Sequence, residues 1–68
     1  MGEFKQREKL KELRKKKGVT RYRMAKDLGV NLSHYYRIEA GERGVSYDLA
    51  KKIKKYLDYY DDDLFDND

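Results

Sequence analysis

The chain contains no cysteine, no proline and no tryptophan, and it has a single histidine. Without cysteine there is no disulfide to staple a small fold, no thiol nucleophile and no cysteine-based zinc site, a composition suited to a reducing cytoplasm. The lone His34 has no second histidine with which to share a metal or relay a proton. Without proline, nothing interrupts helical segments from within. Apolar stretches run to only two or three residues, so no segment can cross a membrane, and the charged start E-F-K-Q-R-E-K is not that of a signal peptide. There is no nucleophile paired with a base, no metal-ligand cluster and no glycine-rich phosphate loop, which argues against an enzyme and against any cofactor. The expectation is a soluble cytoplasmic protein.

What is present is charge: 44% of the 68 residues are Asp, Glu, Lys or Arg. A chain of this length makes one domain, residues 1–68, and buries only about 60% of its unfolded surface, so the core is small. High charge without proline favours a compact all-α bundle over a β structure. The net charge of +4 hides an asymmetry. Residues 1–57 hold all 17 Lys and Arg against 7 acids, giving +10, whereas residues 58–68 hold 6 aspartates, giving −6. A basic body attracts polyanions at a distance, although a charge run can equally be a solvated face. The aspartates lack the glycine and final glutamate of a calcium loop and read as helix capping plus a solvated tail, or as a segment that repels polyanions from its own end of the molecule.

Periodicity and end signals predict four helices and a short fifth. The first covers about residues 4–17, with Leu10 and Leu13 inward, lysines in the last turn and Gly18 as the stop; Phe4 falls off the Leu10–Leu13 stripe. Thr20 caps a second helix of about residues 21–28, in which Met24, Ala25 and Leu28 share a face and Gly29 ends the helix. Asn31 caps a third of about residues 32–40, closed by Gly41. Ser46 opens a fourth to about residue 57, with Leu49, Ala50, Ile53 and Leu57 inward and Lys51, Lys52, Lys54 and Lys55 mostly outward. A turn of helix at about residues 61–65 returns Leu64 and Phe65 to the core.

The second and third helices carry the clue. Two helices that cross through a tight turn need a small residue at the crossing and a glycine where the chain reverses, and Ala25 and Gly29 meet those demands. Met24, Leu28, Val30, Tyr35 and Ile38 stand where the two helices must touch. At 100° per residue, Tyr35 and Ile38 fall on one side of the third helix, and Leu32, Ser33, Tyr36 and Arg37 on the other. That second face is polar and basic and has no core to bury it, which suits a DNA groove.

With these residues in place, the chain resembles the Cro and phage-repressor family of helix-turn-helix DNA-binding proteins, also called the xenobiotic-response-element family. The resemblance runs from about Leu10 to Phe65, through L-K-E-L-R-K-K-K-G-V-T-R, M-A-K-D-L-G-V, R-I-E-A-G-E-R, L-A-K-K-I-K-K-Y-L and D-D-L-F. It implies a five-helix domain that inserts its third helix into the major groove, as a small repressor-like transcriptional regulator of the kind found in phages and mobile elements. By matching position, Leu32, Ser33, Tyr36 and Arg37 become the base-side residues. Arg37 suits guanine, whose O6 and N7 accept two parallel hydrogen bonds, with a phosphate contact as the other reading. Leu32 can meet a thymine methyl or lie half-buried against the turn, Ser33 can bond almost any base edge, and Tyr36 can reach a base or a phosphate. Phosphates should be met at the starts of helices two and three by Thr20, Arg21 and Asn31. Arg23, Arg43 and the backbone near Gly44 extend the clamp or are simply solvated, and His34 lies at the surface with a phosphate contact as a minor option. The resemblance also implies a buried structural pair between Glu39 and Arg14.

The chain departs from the family pattern in three places. Arg21 stands where glutamine usually opens the second helix, which replaces a bridging hydrogen bond by a charge contact. Tyr35 stands where a β-branched aliphatic is usual, and its hydroxyl needs a partner or a way out to solvent, with consequences for helix tilt. Val45 replaces a common proline. Among seven tyrosines, Tyr56, Tyr59 and Tyr60 cluster with Phe65 near the C-terminus. They form either part of a small core or a homodimer surface, and a dimer would set two recognition helices about 34–36 Å apart. The competing function is a protein-interaction module, an antitoxin or adaptor that works through this aromatic surface.

Overall fold

A computed structural model describes residues 6–65, Asp62 by its backbone alone. Four α-helices follow one another: α1 (Glu8–Lys17), α2 (Arg21–Leu28), α3 (Leu32–Glu39) and α4 (Tyr47–Leu57), then a 3₁₀ turn at Asp62–Phe65. The architecture is an all-α helix-turn-helix bundle, with no strand among the described residues.

Local chemistry sets most of the helix ends. Thr20 Oγ1 accepts the Arg23 N–H at 3.1 Å, Asn31 Oδ1 the His34 N–H at 2.7 Å, and Ser46 Oγ the Leu49 N–H at 3.2 Å, so α2, α3 and α4 each begin on a side-chain cap. Each helix closes in a left-handed residue whose N–H, with that of the next residue, returns to the last-turn carbonyls. At the end of α2, Gly29 (φ 80°) donates to Lys26 O and Val30 to Ala25 O; at the end of α3, Gly41 (φ 83°) donates to Ile38 O and Glu42 to Arg37 O. At the end of α4 the left-handed position is taken by Asp58 (φ 56°), a side chain where glycine would be unstrained.

The core is Leu10, Met24, Ala25, Leu28, Tyr35, Ile38, Ile53 and Leu64, ringed by half-buried residues that include Leu13, Val30, Leu49, Leu57 and Phe65. α2 packs most extensively on α3, while α1 touches α3, α4 and the 3₁₀ turn, and α4 lies against α1 and α2. Tyr35, the largest fully buried side chain, fills the place expected for an aliphatic residue.

Three α-helix boundaries differ from expectation, and the short turn expected at about residue 61 begins at Asp62. Residues 4 and 5, where the first helix was expected to begin, and the tail beyond Phe65 lie outside the described residues. α1 starts only at Glu8, because the backbone angles of Arg7 are not helical (φ −82°, ψ 82°) and its N–H goes to Glu39 O at 2.9 Å. α3 stops at Glu39 with Ala40 as its cap, and Ser46 stands outside α4 because a capping residue keeps extended backbone angles.

Candidate nucleic-acid interface

α3 divides into two faces. Tyr35, Ile38 and Glu39 are buried, whereas Leu32 and Tyr36 are 45% and 50% exposed, and Ser33 and Arg37 are exposed as well. Leu32, Ser33, Tyr36 and Arg37 line one open hollow together with Glu42, an acid that sequence reading did not single out. His34 is half-buried at the margin between the faces.

The buried face is held by a single carboxylate. Glu39, 3% exposed, accepts from Arg14 Nε (2.8 Å) and the Tyr35 hydroxyl (2.8 Å) on Oε2, and from Arg14 Nη2 (3.2 Å) and Arg21 Nε (3.0 Å) on Oε1. Arg14 spends its remaining Nη1 on Val19 O at 2.8 Å. The carboxylate thus joins α1, α2 and α3 and gives the Tyr35 hydroxyl an acceptor inside the core. Burial alone would raise the Glu39 pKa, but the hydrogen bonds from Arg14, Tyr35 and Arg21 outweigh it and hold the carboxyl below its ordinary 4.5. Burial first, and then the bond to Glu39, push the Tyr35 hydroxyl upward. The bond to Glu39 raises Arg14 further.

Arg21 differs from the free charge contact expected of it. Its Nε is committed to Glu39, and its guanidinium lies 5.1 Å from the centre of the Tyr36 ring, so a residue expected at phosphate and one expected on the base side form one stacked unit. Sequence alone could not foresee this, because the partner carboxylate belongs to the neighbouring helix. Thr20 and Asn31 are exposed and already engaged as caps, with the free N–H groups of their helix starts beside them. Arg23 forms an exposed i,i+4 ion pair with Asp27 at 3.1 Å. Arg43 and Gly44 are exposed in the loop between α3 and α4, and the space beside Gly44 is open, with no atom within 4 Å of a Cβ placed there. The fold therefore does not require glycine at this position.

The comparison with protein families matches a helix-turn-helix model over residues 10–64. The chain belongs to the Cro and phage-repressor type of helix-turn-helix family. Comparison with curated proteins and with solved structures gives no match. The helix-turn-helix is α2, the Gly29–Asn31 turn and α3, and the family is one of DNA-binding regulators.

The C-terminal rings turn out to be mostly committed within the domain. Tyr56 is half-buried and donates to Asp27 Oδ2 at 2.6 Å, with Lys17 Nζ 4.9 Å from its ring centre. Tyr59 donates to Asp63 Oδ1 at 2.6 Å, which pushes its pKa up to about 12, and Lys9 Nζ lies 5.5 Å from its ring. Phe65 packs against the core, leaving Tyr60, 65% exposed, as the one open ring of the four. Among the described residues no helix is long and apolar enough to cross a membrane, and no group of three or more His, Cys, Asp or Glu could hold a metal ion.

Proposed function

We propose that the domain reads duplex DNA sequence-specifically, as a small repressor-like transcriptional regulator that lays α3 in the major groove. The observation that carries this is the division of α3: one face is locked to α1 and α2 through Glu39, and the other, Leu32, Ser33, Tyr36 and Arg37, is left in solvent. Arg37 pairs with guanine through two parallel hydrogen bonds, Leu32 meets a thymine methyl, and Ser33 adds fit. Tyr36, stacked on Arg21, supports the edge of the groove. Phosphates are met by the helix starts at Thr20, Arg21 and Asn31 and, beyond them, by Arg23, Arg43 and the backbone at Gly44. Arg23 must leave Asp27 to do so, at little cost because the pair is exposed and screened by water.

Contact with several phosphates makes binding fall steeply with salt. A homodimer would present two α3 helices to a palindromic site; Tyr60 is the exposed ring available for it, since Tyr56, Tyr59 and Phe65 are engaged within the domain. The same engagement leaves less aromatic surface for an antitoxin or adaptor role. Selection of bound duplexes from a random pool, at two salt concentrations and with Arg37→Ala alongside, tests the reading. Wild type should enrich one motif and Arg37→Ala should lose a guanine from it. An absence of any motif, or an identical motif from both proteins, would contradict the proposal.

A further inference from the structure

Arg7 is a second buried arginine, 6% exposed, and no ion pair is found for it among the described residues. Its guanidinium instead gathers three main-chain carbonyls: Nη1 donates to Ile38 O and Arg43 O, both at 2.7 Å, and Nε to Phe65 O at 3.2 Å. Its own N–H goes to Glu39 O at 2.9 Å. Two of these acceptors, Ile38 O and Glu39 O, belong to the last turn of α3, where carbonyls lack partners within the helix, Ile38 O accepting also from the Gly41 N–H at 3.1 Å, and where a positive charge meets the negative end of the helix dipole. The third, Arg43 O, lies in the loop that carries a candidate phosphate contact, and the fourth, Phe65 O, in the C-terminal 3₁₀ turn.

We propose that Arg7 is a positioning residue for DNA binding: it caps the recognition helix from 31 residues away and fixes the Arg43 loop against that helix, so that groove and phosphate contacts are set in one frame. The inference rests on the reading of α3 and Arg43 as DNA-facing. Arg7 is too buried to touch phosphate itself, so its effect on binding passes through the residues it holds. An arginine suits the task because its planar fork can serve separate acceptors at once, which the compact lysine ammonium does not do as well.

The experiment is a double-mutant cycle on the duplex selected by the wild type, with Arg7→Met, Arg43→Ala and their combination, supported by amide hydrogen exchange on the free proteins. Arg43→Ala should weaken wild-type binding several-fold and weaken Arg7→Met much less, because its loop is no longer held. Exchange should accelerate at residues 39–44 in Arg7→Met while Met24 and Ala25 stay protected. Should Arg7→Met fail to fold, Arg7→Lys, which keeps the charge and loses the fork, should show the same pattern in weaker form. If Arg43→Ala costs the same in both backgrounds, Arg7 is merely structural and the proposal falls while the DNA reading stands. If Arg43→Ala leaves wild-type binding unchanged, the phosphate role of Arg43 falls and the proposal with it.

Discussion

Replacing Glu39 by glutamine changes one atom and should cost the domain much of its stability. The side chain keeps its shape, but Arg14, 6% exposed, loses the opposite charge, and whichever way the amide sits, either its Nε or its Nη2 faces an NH2 in place of an oxygen. Removing one partner of a buried ion pair costs about 3–5 kcal/mol, because the remaining charge stays desolvated. The Arg21 contact adds little to this figure, since that side chain is 41% exposed and its interaction is screened by water. A domain of this size has roughly 3–10 kcal/mol in total, so Glu39→Gln should bring the midpoint of urea unfolding down by about a third or more. The triple change Glu39→Leu, Arg14→Met and Tyr35→Phe removes every polar member of the buried set and should recover most of the loss. Equilibrium denaturation followed by circular dichroism, with unchanged slopes, gives the numbers. A cost below about 1 kcal/mol for Glu39→Gln would refute the claim that this carboxylate carries the junction of the three helices.

Three further outcomes follow from the same geometry. Because the Glu39 pKa is lower folded than unfolded, its contribution is complete above about pH 4.5 and is lost as the pH falls through the lower folded value; an acid titration of stability should show this limb in the wild type and a flatter one in Glu39→Gln. Asp58→Gly relieves a left-handed side chain and removes a negative charge from a helix C-terminus, against the greater freedom glycine gives the unfolded chain, and should raise stability by about 0.5–1 kcal/mol; a lower melting temperature would mean that Asp58 serves the fold in another way. Gly44→Ala has room for its methyl and should leave thermal stability within about 0.5 kcal/mol, yet weaken binding to the selected duplex if the backbone meets phosphate; unchanged affinity removes Gly44 from the interface.

Much of the fold was legible because its signals are local. Thr20, Asn31 and Ser46 cap the helices that follow them, and Gly29 ends α2 where reversal demands positive φ. The two faces of α3 were legible for the same reason, since a period of 3.6 residues separates Tyr35 and Ile38 from Arg37. What could not be read was tertiary. The Tyr56 hydroxyl finds its carboxylate at Asp27, 29 residues earlier in the chain. Arg21 meets Glu39 only after α2 and α3 have crossed. Arg7 did leave a trace, standing three and seven residues before Leu10 and Arg14 on the inward stripe of α1, but a charged residue at the start of a helix is ordinarily read as solvated. Asp58 gave no signal, because the αL position it fills is one where glycine is expected.

The DNA reading proposed for this domain hinges on Arg37 meeting a guanine in the major groove. Its most direct test replaces that guanine, in the duplex the wild type selects, by 7-deazaguanine, which removes the N7 acceptor and leaves Watson–Crick pairing intact. Wild-type affinity should fall about five-fold or more, toward the 1–3 kcal/mol of a bidentate contact, and the Arg37→Ala protein should bind the two duplexes alike. Equal binding of both duplexes by the wild type, or an equal loss in Arg37→Ala, would contradict the account.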